Sequence, residues 1–304
     1  MRQVCMCAAL LAVVVSGCSS SEEGALQTAE IRVGATVSGA ITKAPVVTGD
    51  TFTAAITAIE GTQPPASWTA AVAWQNSITL VASETATGTS VPLNVSKVYP
   101  AAGNVYMAAW HPEIASVSGV VTFQQTGTED VMYGGIVSGN KDVPAGAFTF
   151  THTLTQLNFQ VQASDGYLGA NPDKKISKIE VVDAAYPKTM TIADGAVTYE
   201  TAATLAVPGV TAPIQLTKEV TKVGEPFMVK ALDGVKVKVT YEGGTTSKEI
   251  NIIDASTQAG LNALAGNSHL VTLSFLKTGE VAIEGTATVA PWQVGASGNG
   301  TVTE

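Results

Sequence analysis

Val235-Lys236-Val237-Lys238-Val239-Thr240-Tyr241 decides the fold class of this chain. Val235, Val237, Val239 and Tyr241 share one parity, and Lys236, Lys238 and Thr240 share the other. Successive side chains of a strand point to opposite faces, so this alternation predicts a half-buried strand of an antiparallel sheet. Gly243-Gly244 follows, then Ile250 and Ile252, which predicts a hairpin. A second hairpin is expected where Met190-Thr191-Ile192 and Val197-Thr198-Tyr199 flank Asp194-Gly195, a pair suited to a turn with positive φ.

The same pattern runs outward through the chain. Phe148, Phe150, His152 and Leu154 share even parity, whereas Leu157, Phe159 and Val161 share odd parity. The switch at Thr155-Gln156 predicts a bulge or a crossing from one sheet to another. Leu270–Leu276 and Glu280–Thr286 read as further strands, and Ile31, Val33, Ala35 and Val37 alternate with Arg32, Gly34, Thr36 and Ser38. One short helix is expected, capped by Ser256, carrying Leu261 and Leu264 and closed by Gly266. Many short strands with frequent turn signals indicate an all-β protein built of β-sandwiches.

Composition agrees. The 304 residues are 45% hydrophobic and 13% charged, which excludes a coiled coil. A net charge of −9 without a basic stripe makes nucleic acid a poor partner. The three cysteines, Cys5, Cys7 and Cys18, all lie at the N-terminus, so no disulfide framework staples the body.

Residues 1–17 read as a secretion signal, with Arg2 as the positive start and Val4 to Val15 as the apolar run. A helix over that run covers roughly 18 Å, too short for a bilayer core of about 30 Å. Val15-Ser16-Gly17-Cys18 resembles a bacterial lipobox, which makes Cys18 the lipidated first residue of the mature chain. The following Ser19-Ser20-Ser21-Glu22-Glu23 resembles the surface-export signal of Bacteroidetes lipoproteins. Acyl chains on one cysteine anchor a protein without a transmembrane helix. Residues 18–29 read as a linker, 30–143 as an N-terminal domain and 144–304 as a C-terminal domain with a Gly/Ser-rich tail. The boundary is placed at the turn residues of Ser138–Ala147. No close internal repeat is read.

No catalytic constellation emerges. His111, His152 and His269 are far apart and form no HExxH or His-x-His pair, so no metal site is expected. His152 lies on the apolar parity of its strand and reads as a hydrogen-bonded core residue; His111, before Pro112, reads as a surface residue. Gly295 to Gly300 lacks the following helix that a phosphate cradle needs and reads as a flexible tail. Glu129-Asp130 sits at a turn, where adjacent carboxylates do not form an acid/base pair. No catalytic residue, no cofactor and no enzymatic activity are expected. Trp68, Trp74 and Trp110 suit either core packing or a platform for stacking glycan.

Several stretches in order resemble the fimbrillin family of the Bacteroidetes, lipoprotein-derived pilins. They are Glu30 to Gly39 with Thr42-Lys43-Ala44, Gly49-Asp50-Thr51-Phe52, and Val105 to Pro112 with clear departures. Asp130-Val131-Met132-Tyr133 resembles Asp-Leu-Met-Tyr, and Phe148 to Leu154 resembles a stretch containing Phe-x-His-x-Leu. Trp292 stands before the glycine-rich tail, as in many members.

The resemblance implies two transthyretin-like (Ig-like Greek-key) β-sandwich domains in tandem and surface export to the outer membrane through lipid on Cys18. It implies assembly by strand exchange. A protease removes the first strand, that of Ile31, Val33, Ala35 and Val37, and the groove accepts a strand from another fimbrial subunit. Cutting after Lys43 would release this whole strand; cutting after Arg32, the one arginine of the mature chain, would vacate half the groove. The glycine-rich tail reads as a poor donor, favouring an accessory or tip subunit that serves adhesion to a host or bacterial surface receptor. The alternative is a non-polymerising surface lipoprotein that binds glycan or host protein.

Overall fold

The computed structural model describes residues 29–37, 49–69, 72–82, 90–247 and 249–277, together with the main-chain pairing of 293–294 and 298–302. It is built almost wholly of strands. In the first half these are β1 (Arg32–Val33), β2 (Ala35–Val37), β3 (Thr51–Gly61), β4 (Trp74–Val81), β5 (Val91–Pro92), β6 (Asn104–His111), β7 (Val120–Thr122), β8 (Met132–Gly139) and β9 (Phe148–His152). Six of them form a sheet in the order β2-β9-β8-β6-β3-β4, and β1 pairs separately with β5. The middles of β3 and β6 are covered on both faces. Phe52, Ala54, Ile56, Val105, Met107 and Ala109 pack into one core, while Ala55, Tyr106, Ala108 and Trp110 face another. Alanine at these positions lets packed layers approach both sides closely.

The second half contains β10 (Thr155–Ala163), α1 (Asp165–Ala170), β11 (Lys175–Ala184), β12 (Pro187–Thr191), β13 (Val197–Tyr199), β14 (Ala203–Ala206), β15 (Ile214–Gln215) and β16 (Thr221–Val229). It continues with β17 (Lys236–Tyr241), β18 (Ile250–Asn251), β19 (Ile253–Asp254), β20 (Asn267–Phe275), β21 (Gln293–Val294) and β22 (Gly298–Val302). One sheet runs β16-β10-β20-β22-β19, with β21 beside β20; the other runs β14-β11-β17-β18, with β15 beside β11. Their inner faces share a core that includes Leu157, Phe159, Val161, Val271, Leu273 and Phe275 from one sheet and Ile179, Val181, Val237, Val239 and Tyr241 from the other.

The alternation of 235–241 is realised: Val235, Val237, Val239 and Tyr241 are buried, and Val237 pairs with Ile250 across the hairpin. The 190–199 hairpin forms with Met190 opposite Val197 and Gly195 at φ +72°. The parity switch at 155–156 is a crossing between sheets, because β9 pairs with β8 and β2 whereas β10 pairs with β16 and β20.

Three sequence expectations differ from the structure. Residues 138–147 do not separate the sheets. They close the β8–β9 hairpin, whose ladder includes Met132 opposite His152, so the first sheet continues to His152 and the chain leaves it before Thr155. Hairpin loops and linkers draw on the same turn residues, and here Asn140 Oδ1 accepts from the main-chain N–H of Asp142 and Val143.

The helix expected after Ser256 is absent. Asp254 Oδ1 accepts from the Ser256 N–H and hydroxyl, Gln258 takes φ +59°, and Leu261 N donates to Ile252 O, returning the chain in extended form. The one helix among the described residues is α1, where the Ser164 hydroxyl accepts from Tyr167 N as an N-cap. Lastly, Gly298–Val302, read as part of a flexible tail, is a strand parallel to β20 and antiparallel to β19. Glu280–Thr286 lies outside the described residues.

The halves are joined by strand pairing as well as by the crossing. β12 of the second half pairs with β7 of the first, giving a sheet β13-β12-β7. This sheet covers the outer face of β3 and β6, and Trp68, Trp110, Val121, Phe123, Leu154, Met190, Ile192 and Met228 share a core there.

Candidate functional site

The first strand is two short strands joined by a buried glycine. Ala29 O accepts from Tyr99 N at 2.9 Å, and Ile31 N donates to Lys97 O at 2.7 Å. Arg32 and Val33 then pair antiparallel with Pro92 and Val91. At Gly34 the segment leaves this partner, and Gly34 O accepts from Phe148 N at 2.9 Å. Ala35, Thr36 and Val37 pair parallel with Phe148, Thr149 and Phe150.

Ile31 and Val33 have no exposed surface, Val37 has 1% and Ala35 has 5%. All four belong to the core that holds Phe52, Ile56, Met107, Phe148 and Phe150. The segment fills a groove whose walls are residues 91–99 on one side and the edge of β9 on the other. The 91–99 wall is tied to β4 through Asn94 N, which donates to Ser77 O at 2.9 Å. Sequence reading does not single out this wall. Val91, Leu93 and Val95 alternate, but Pro92 interrupts the strand signal.

The outward residues are polar. Arg32 donates from Nη2 to Ser90 O at 3.0 Å and pairs through Nη1 with Glu30 Oε2 at 3.2 Å. Glu30 Oε1 also accepts from the Ser96 hydroxyl at 2.9 Å. The hydroxyls of Thr36 and Thr149 lie 3.4 Å apart. Lys43 and Cys18 lie outside the described residues.

The other singled-out residues take structural places. His152 Nδ1 lies 2.8 Å from Asp130 Oδ1, and each side chain is 1% exposed. Two stretches far apart in sequence are thus joined in the core. Neighbouring Glu129 organises the loop before β8 by accepting from the main-chain N–H of Gln124, Gln125 and Thr126. His111, expected at the surface, is half-buried: its Nδ1 lies 2.8 Å from Thr53 O, and its ring stands edge-on to Phe52. Trp68 and Trp110 are core residues and Trp74 is half-buried, so the three indoles form no exposed platform.

At the junction, the Tyr133 hydroxyl donates to Ile192 O at 2.9 Å. Burial, and secondarily the charge of Asp194, push its phenol up to about 12. Among the described residues, no group of three or more His, Cys, Asp or Glu side chains is placed to hold a metal ion. No helix among them is long and apolar enough to cross a membrane.

Residues 38–292 match the sequence pattern of the family described as fimbrillin-like. Among solved structures, a candidate cell adhesion protein from Bacteroides uniformis ATCC 8492 is similar at TM-score 0.51 and 19% identity, covering 90% of this chain and 98% of that one. A candidate cell adhesion protein from Bacteroides ovatus ATCC 8483 gives TM-score 0.48 at 13% identity, covering 81% and 92%. The fimbrial anchor protein Mfa2 from Porphyromonas gingivalis gives TM-score 0.37 at 12% identity, covering 72% and 81%. No curated protein matches the sequence.

Proposed function

The chain belongs to the fimbrillin-like family, and from that premise we propose that it is a subunit of a cell-surface fimbria, assembled by protease-triggered strand exchange and serving adhesion. The family gives the coarse role, fimbrial or adhesive at the cell surface. The observation that carries the finer reading is the seating of the first strand. Burying four apolar side chains is worth roughly 6–12 kcal/mol gross, at about 1.5–3 each. Ordering the segment offsets much of that. A strand held this way is stable when seated, and a strand of matching pattern from another subunit can take its place.

Reading the two halves as tandem transthyretin-like sandwiches belongs to the same proposal. So does the anchor: lipid on Cys18 holds the precursor in the outer membrane. Cys18→Ala is expected to abolish both membrane attachment and labelling by fatty acid, and equal label in the variant would refute it.

Processing is assigned to Lys43, with Arg32 as the alternative. The seated Arg32 is paired to Pro92 and its guanidinium is engaged, which protects the adjoining peptide bond while the strand remains in place. Limited trypsin treatment should cut after Lys43 first, and the severed strand should stay bound until a competing strand displaces it. A cut protein that unfolds outright, or exchanges with no strand, defeats the proposal. Burial of Trp68 and Trp110 removes the observation that favoured a glycan-binding alternative. The glycine content of the tail favoured an accessory or tip place in the fimbria. Since Gly298–Val302 adopts a strand, glycine alone does not disqualify the tail as a donor.

A further inference from the structure

The two ends of the chain carry one pattern, which the sequence reading missed as a repeat. Ile31-Arg32-Val33-Gly34-Ala35-Thr36-Val37-Ser38-Gly39 aligns without gaps on Trp292-Gln293-Val294-Gly295-Ala296-Ser297-Gly298-Asn299-Gly300. Val, Gly, Ala and the final Gly coincide. Ile aligns with Trp, Arg with Gln, Thr with Ser, and Ser with Asn. We infer that the groove vacated by the first strand is filled by this tail from a second copy of the same chain. The inference rests on the strand-exchange reading and names its partner and register.

The groove asks for this pattern position by position. At 31 and 33 it takes fully buried apolar side chains, and the tail offers Trp292 and Val294. At 32 the side chain points outward and donates to Ser90 O, a bond that the primary amide of Gln293 can also donate. At 34 the segment crosses from the 91–99 wall to β9, and the residue there is a buried glycine; the tail has Gly295. At 35 the groove holds a methyl group opposite Phe148, and the tail has Ala296. At 36 a hydroxyl meets that of Thr149, and Ser297 supplies one. Only Val37 is unmatched, by Gly298.

The crossing makes the match specific. An ordinary strand of alternating large apolar residues would put a bulky side chain at 35 and a Cβ at 34. In the structure, β21 and β22 run along β20 of their own sheet. A tail seated there cannot sit in a neighbour's groove, so donation requires its release from β20.

The test uses the chain from Ser19 to Glu304, with a specific protease site placed in residues 38–48 and cut. Labelled peptides are added and their binding is read by fluorescence anisotropy: Glu30–Gly39 as reference, Pro291–Glu304, and Pro291–Glu304 with Ala296→Leu. The tail peptide is expected to displace the severed strand. Ala296→Leu should abolish binding, and Gly298→Val should tighten it on the order of tenfold by restoring the side chain of Val37. In the cut protein carrying Thr149→Cys and Ser297→Cys, disulfide-linked ladders should form; the uncut protein should stay monomeric. Binding of the reference without binding of the tail peptide overturns the inference and returns the chain to an accessory or tip place that accepts but does not donate. Failure of the reference peptide itself overturns the strand-exchange reading.

Discussion

The Asp130–His152 contact joins two residues whose side chains are each 1% exposed. A buried polar pair costs little net while it is intact, and it costs much when one partner is removed, because the other is left in a low-dielectric core. His152→Ala is therefore expected to lower stability by about 3 kcal/mol or more in urea unfolding. Asp130→Asn should cost less, since the amide oxygen still accepts; a loss below about 1 kcal/mol for His152→Ala would assign the pair no structural weight.

Tyr133 gives a pH test. Its phenol is raised from 10.0 to about 12 in the folded protein, chiefly by burial. The native state thus holds the proton more tightly than the unfolded chain. That contribution to stability is complete below about pH 10 and is lost as pH rises from there through about 12. A pH titration of phenolate absorbance should show a late-ionising tyrosine that Tyr133→Phe removes.

At the scale of elements, β17 tests the alternation that led to the fold. Val239 has no exposed surface, and Lys238 faces outward beside Glu249 at 3.4 Å. Val239→Asp buries a carboxylate with no partner and should cost about 4 kcal/mol or more. Lys238→Asp loses one exposed ion pair and gains a like charge, and should cost about 1 kcal/mol or less. Equal shifts in Tm would contradict the assignment of faces.

The 187–199 hairpin is held differently. Gly195 takes φ +72°, and a Cβ there would lie 2.3 Å from the Tyr133 ring. Both the turn and the contact require glycine, so the hairpin's grip on the first half depends on that residue.

For the whole molecule, the β7–β12 pairing and the core it shares with β3 and β6 tie the halves into one folding unit. Calorimetry should show one cooperative transition, with calorimetric and van't Hoff enthalpies equal. Met190 is fully buried in that shared core opposite Val121. Met190→Asp should split the transition in two, whereas a single lowered transition would mean that the crossing at Leu154 alone couples the halves.

The sequence by itself determined the periodicity, and with it the all-β class. It also determined the faces of β17 and β9, the hairpins at 190–199 and 235–252, and the burial of Ile31, Val33, Ala35 and Val37. These depend on which side of a strand a residue occupies, and local alternation encodes that directly. Partner choice was decided by the tertiary structure. Nothing local in Ile31–Val37 says that it runs antiparallel to 91–98 and then parallel to β9, since hydrogen-bonding groups are the same for every residue except proline. Nor does the 138–147 turn cluster reveal whether it closes a hairpin or separates two domains. The meeting of Asp130 with His152 and the pairing of β7 with β12 are likewise products of long-range packing, in which contacts far apart in the chain are chosen by the core they jointly fill.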